Sequence, residues 1–147
     1  MSVYYVPSTN LMGRGCLKEL APLVKDLGFK KAMVVTDKFL NQTGVAGKVL
    51  AELESINLEY IVYDEVKPNP TIENVYTGVN VFNTNECDCI VSVGGGSPQD
   101  TAKAVGLYVT NGGDIRDYEG VNKTKNKSMP IIAVNTTAGT SSEFTIN

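Results

Sequence analysis

The chain has 147 residues, 42% hydrophobic and 20% charged, with a net charge of −3. That is enough apolar material for one globular domain with an ordinary core, and it excludes a disordered tail. No dense lysine or arginine cluster occurs, which excludes the electrostatic footprint of a nucleic-acid binder. With no run of about eighteen apolar residues, and no charged n-region and apolar h-region at Met1-Ser2-Val3-Tyr4-Tyr5, no membrane partner is expected and the expected location is cytoplasmic.

Taken in order, residues 3–6 are β-prone and Gly13-Arg14-Gly15 is punctuated by glycine, which predicts a short opening strand pair. Leu17, Leu20, Ala21, Val24 and Leu27 then recur at helical spacing. Pro22 should kink or delay that helix, and Gly28 should end it in a left-handed conformation. Residues 31–36 read as an apolar strand with Asp37 at its carboxyl end. Val45, Val49, Leu50, Leu53 and Ile56 mark a second helical stripe, followed by a strand over residues 59–63. Lys67-Pro68-Asn69-Pro70 can continue neither element, and Thr71 can cap a helix whose apolar face is Ile72, Val75, Val79 and Phe82.

A strand over residues 88–93 is predicted to run through a glycine turn into a helix over 98–109. Residues 110–128 are polar and rich in glycine, asparagine and lysine, the composition of a surface excursion, and residues 131–134 form the last apolar strand. Strand and helix alternate throughout, the pattern of an α/β fold: a Rossmann-like parallel sheet with helices on both faces. Ligands of such sheets bind beyond the carboxyl ends of the strands.

Three features fall there. Gly94-Gly95-Gly96-Ser97 removes every Cβ from the turn, so that backbone N–H groups and a helix N-terminus can approach a phosphate, with Ser97 adding a hydroxyl. Its spacing differs from the G-x-G-x-x-G fingerprint, and a tight strand-to-helix turn would look the same. Asp37 is either a solvated strand-end carboxylate or an acceptor for a ribose diol that would repel a 2′-phosphate. Thr136, Thr137 and Thr140 supply hydroxyls at the third position, where threonines also serve as turn formers.

Cys16, Cys87 and Cys89 make an odd number of cysteines, which argues for reduced thiols. Cys87 and Cys89, two apart, should share one strand face as small apolar side chains. The absence of histidine removes the commonest general base and transition-metal ligand together, so neither a catalytic side chain nor a metal site is expected.

The string Gly94-Gly95-Gly96-Ser97-Pro98-Gln99-Asp100-Thr101-Ala102-Lys103-Ala104, taken with Thr136-Thr137-Ala138-Gly139-Thr140, resembles the iron-dependent (group III) alcohol dehydrogenases. The branch it most resembles contains lactaldehyde reductase and 1,3-propanediol dehydrogenase. The resemblance runs on through Val35-Thr36-Asp37-Lys38 and Lys67-Pro68-Asn69-Pro70-Thr71 to Glu143-Phe144-Thr145-Ile146-Asn147. It implies that residues 1–147 are the family's N-terminal NAD-binding domain, without its metal-binding helical half, so that iron would be held only by a longer protein. It also implies a small primary alcohol, diol or aldehyde as substrate and a homo-oligomeric assembly.

The cofactor contacts it implies are Asp37, Asn69, Gly95, Gly96, Ser97, Asp100, Thr136, Thr137 and Thr140. Asn69 reads equally as part of a rigid turn, and Asp100 as a charge favourable to the helix dipole. Lys103 reads as a surface or structural residue. Asn135 stands where much of the family has proline, Ser141 where glycine or alanine is usual, and Phe144 where valine is usual. Other readings of the same residues are a nucleotide-binding or self-associating domain without turnover, and part of a lyase similar to dehydroquinate synthase.

Overall fold

The computed structural model of the chain describes residues 16–113 and 128–136. A parallel sheet of four strands, in the order β2-β1-β3-β4, is formed by β1 (Lys31–Val35), β2 (Glu59–Tyr63), β3 (Cys89–Gly94) and β4 (Ile131–Asn135). It is flanked by α1 (Leu20–Leu27), α2 (Lys38–Gln42), α3 (Val45–Ser55), α4 (Ile72–Thr84) and α5 (Gly96–Asn111). The expected α/β architecture is therefore present.

Successive side chains of a strand point to opposite faces, so a strand covered on both sides reads as a nearly continuous apolar run. β3 is buried from end to end. Ala32, Val34, Val91 and Val93 pack against α1 and α3, while Met33, Val35 and Ile90 pack against α4 and α5. The last two helices approach closely at Gly78, where a Cβ would lie 2.9 Å from Val105 Cγ2.

The step from β1 to β2 runs outward in one direction beneath α3, and the steps from β2 to β3 and on to β4 run the other way beneath α4 and α5. A constant crossover hand requires opposite directions to use opposite faces. The carboxyl ends of β1 and β3 are consequently neighbours from which the chain departs to opposite sides, the crevice where ligands of open α/β sheets bind.

Several local signals act as their residues predict. Gly28 ends α1 with φ 75°, and Thr71 caps α4 in a reciprocal box with Asn74. Pro22 lies in the first turn of α1, where its missing N–H costs no helical bond, and the turn before it, Cys16–Glu19, is a 3₁₀ helix. α2 is an addition: it has five residues, none buried, and so carries no apolar stripe to announce it. α5 starts two residues before Pro98, and it continues through Thr110 to Asn111.

The cysteine pairing needs correction. β3 begins only at Cys89, after a left-handed Glu86, so Cys87 packs with the α4 and α5 cluster and Cys89 with the α1 and α3 cluster. The predicted opening strand pair lies outside the described residues, as do Thr137, Thr140 and residues 114–127 of the polar excursion.

Candidate functional site

At the carboxyl edge the strand ends are tied to one another. Thr36 Oγ1 donates to the Val93 carbonyl (2.9 Å), Thr36 N to the Tyr63 carbonyl (3.0 Å) and Thr136 N to the Gly94 carbonyl (3.1 Å). These bonds hold the loops after β1, β3 and β4 in a fixed relation.

Gly94 closes β3 with φ 147°, and a Cβ there would lie 2.6 Å from Pro98 Cγ and 3.1 Å from Leu40 Cδ1. The turn can therefore fold back on its own proline only without a side chain at this position. Gly95 is the residue before α5, and Gly96 and Ser97 are its first two residues, both half-buried. The first N–H groups of an α-helix have no partner inside the helix, and here Pro98 contributes none. Gln99 N is the first to be taken up, by the Gly95 carbonyl at 3.4 Å. The N–H groups of Gly96 and Ser97, at the positive end of a sixteen-residue helix, are thus suited to an anion.

Asp37 stands across the crevice after β1. It is half-buried and caps α2, with Oδ1 accepting from Leu40 N at 2.8 Å. The carboxylate is therefore held in place rather than loosely solvated, and its second oxygen retains acceptor capacity for a diol. Leu40, which Asp37 caps, is also the residue that packs against Gly94, so the carboxylate and the glycine turn are set by one contact.

The remaining predicted residues are less concentrated. Asn69 is exposed in the loop after β2, on the same edge beside the outermost strand, with φ 55° between its two prolines. Asp100 is exposed and is the fifth residue of α5, just past the first turn because the helix starts early. Thr136 is exposed at the end of β4.

A polar group that the sequence pattern did not single out lies beneath the turn: Ser92 and Gln99, both buried, and Asn135 are joined by hydrogen bonds. The available signal was spacing, since Gln99, Ala102 and Gly106 fall on the buried side of one helix.

At the opposite edge burial raises the Cys87 thiol pKa and pushes that of Cys89 up to about 12, with the Asp88 charge adding to the effect. Neither suits a metal. Among the described residues no group of three or more His, Cys, Asp or Glu side chains could hold one.

Known proteins match this arrangement over nearly all of the chain. A family model described as iron-containing alcohol dehydrogenase matches residues 7–147. Alcohol dehydrogenase 4 of Schizosaccharomyces pombe is 48% identical over 145 residues, which cover 99% of this chain and 34% of that protein. The crystal structure of a 1,3-propanediol oxidoreductase superimposes with a TM-score of 0.94 at 43% identity, covering 99% of this chain and 38% of the other. That of sulfoacetaldehyde reductase from Bifidobacterium kashiwanohense in complex with NAD+ superimposes with a TM-score of 0.85 at 31% identity, over 99% and 38% of the two chains. The chain thus spans about a third of the length of the curated relative, 34% in the first comparison.

Proposed function

The chain belongs to the iron-containing alcohol dehydrogenase family, and from that premise we propose that it is the NAD-binding portion of an alcohol dehydrogenase acting on small primary alcohols, diols or aldehydes. The observation that carries this is the pairing, across the β1 and β3 crevice, of a capped Asp37 with a glycine turn that opens a helix. The pyrophosphate lies on the Gly95, Gly96 and Ser97 side, and the adenosine ribose diol reaches Asp37. Asn69, Asp100, Thr136, Thr137 and Thr140 border the same cofactor. When bound, NAD exchanges a hydride with the substrate carbon, and this chain's residues hold and orient it.

The residues of this chain do not fit an iron site, since the sequence has no histidine and the described residues contain no ligand cluster. That favours a second statement about the chain taken alone: it binds nucleotide without turnover. We further propose a cytoplasmic location, consistent with free Cys87 and Cys89, and a homo-oligomer. In support of the latter, Phe39 is 71% exposed and Leu27 53%; a monodisperse monomer mass by light scattering at high concentration overturns that assembly.

Calorimetric titration of NAD into the chain tests the central reading. Saturable binding is expected, and its absence at millimolar cofactor overturns the reading. With ethanol or 1,3-propanediol, NAD and ferrous or zinc ions, no NADH is expected from the chain alone.

A further inference from the structure

Ser92 Oγ donates to Gln99 Oε1 at 2.7 Å, and Gln99 Nε2 donates to Asn135 Oδ1 at 2.9 Å. Ser92 is fully buried and Gln99 is 1% exposed, whereas Asn135 is exposed. A buried carboxamide is costly unless both its ends are bonded, and here both are. Gln99 is the fourth residue of α5, and Asn135 ends β4 in register with Gly94. The relay therefore links β3, α5 and β4 directly beneath the glycine turn.

We propose that Gln99 is a positioning residue that holds the Asn135 carboxamide with its NH₂ toward the nucleotide edge, making Asn135 a hydrogen-bond donor to a phosphate oxygen of a nucleoside diphosphate. The proposal rests on the nucleotide reading above. A free asparagine can present either its oxygen or its NH₂. In the arrangement seen here the Ser92 hydroxyl donates to the Gln99 oxygen, which leaves the Gln99 NH₂ to donate to the Asn135 oxygen. Both Asn135 Nδ2 protons are then available to a ligand at this edge. They join the N–H groups of Gly96 and Ser97 and the helix N-terminus as donors of one polarity, an arrangement that suits an anion.

The test is NAD titration, by calorimetry, into the full chain and four variants: Asn135→Asp, Asn135→Ala, Gln99→Met, and the last two combined. Asn135→Asp keeps the acceptor for Gln99, and with it the fold, but turns an outward donor into a negative acceptor. NAD affinity should fall at least about tenfold, or about 1.4 kcal/mol, with the melting temperature retained. Asn135→Ala and Gln99→Met should each weaken NAD roughly three- to tenfold, and the double variant no more than Asn135→Ala alone, because Gln99 acts through Asn135. An Asn135→Asp variant that binds NAD as well as the unmodified chain overturns the proposal, as do single losses that multiply in the double variant. Should Gln99→Met fail to fold, Asn135→Asp decides by itself. Absence of NAD binding by the unmodified chain overturns the nucleotide reading and this inference together, whereas normal binding with multiplying losses overturns this inference alone.

Discussion

At the amino edge of the sheet the Asp88 carboxylate accepts hydrogen bonds from Lys30 N (2.8 Å) and Lys31 N (3.0 Å), while Asp88 N donates to the Lys31 carbonyl (2.9 Å). At the carboxyl edge the same kinds of group stay apart: Asp37 accepts from Leu40 N on one side of the crevice, and the first N–H groups of α5 lie on the other. A carboxylate at the amino edge thus locks two strands together. Across the carboxyl edge the donors and the acceptor are left separated, the arrangement on which the proposed cofactor reading rests. The amino edge is closed by the Asp88 bonds, and the proposed cofactor site lies at the open carboxyl edge, where Gly94 also bears on folding.

The sharpest way to break that contrast is Gly94→Val. A side chain there meets Pro98 Cγ at 2.6 Å, in a backbone region with φ 147° that a β-branched residue avoids. Overpacking and backbone strain together should cost about 4 kcal/mol, as read from denaturant unfolding. A loss under about 1 kcal/mol would show that the turn tolerates a side chain. Next is Asp88→Ala at the closed edge, where two backbone N–H groups lose a charged acceptor. A loss of about 2 kcal/mol is expected with NAD binding unchanged; weakened NAD binding at unchanged stability would reverse the division between the edges.

Third is the alkaline limb of stability. Burial holds the Cys89 pKa at about 12 in the folded chain, against an ordinary value of 9.0, so the folded state keeps its proton where the unfolded state loses it. The contribution is fully present below pH 9 and is lost as pH rises toward 12. By pH 10.5 the loss should reach about 2 kcal/mol, since one unit is 1.36 kcal/mol. Cys89→Ala should reduce that slope in unfolding curves taken across the range, the raised Cys87, Tyr60 and Tyr63 keeping the rest, and an unchanged slope would place the titration elsewhere.

Much of the open edge is legible from residue types alone, because glycine, proline and capping residues act over a few positions. At the open edge Thr71 and the Gly94 turn each meet a local backbone requirement that few other residues satisfy, as Gly28 does at the amino edge. Features that depend on packing across the chain are less visible. α2 has no buried side chain to give it periodicity, and Cys87 and Cys89 part company because the chain turns between them. Spacing puts Gln99 on the buried side of α5, but its partner Asn135 lies 36 residues away on β4. That relay joins partners brought in by different strands, which no short motif encodes.

The smallest expected effect is also the most selective probe of the open edge. Asp37→Gly removes a carboxylate whose Oδ1 caps α2, but glycine is itself an acceptable N-cap, so stability should fall by only a few tenths of a kcal/mol. Binding should change more. At about 4 Å and an effective dielectric near 20, repulsion between unit charges is of order 4 kcal/mol before screening and side-chain movement reduce it. Even a third of that is about tenfold between a 2′-hydroxyl and a 2′-phosphate. Asp37→Gly should therefore weaken NAD several-fold, through loss of the diol contact, while NADP holds or improves. Titrating both cofactors into both proteins separates the two roles of the residue: altered stability with an unaltered NAD to NADP ratio leaves Asp37 only its cap, whereas a narrowed ratio at nearly constant melting temperature assigns its free oxygen to the ribose.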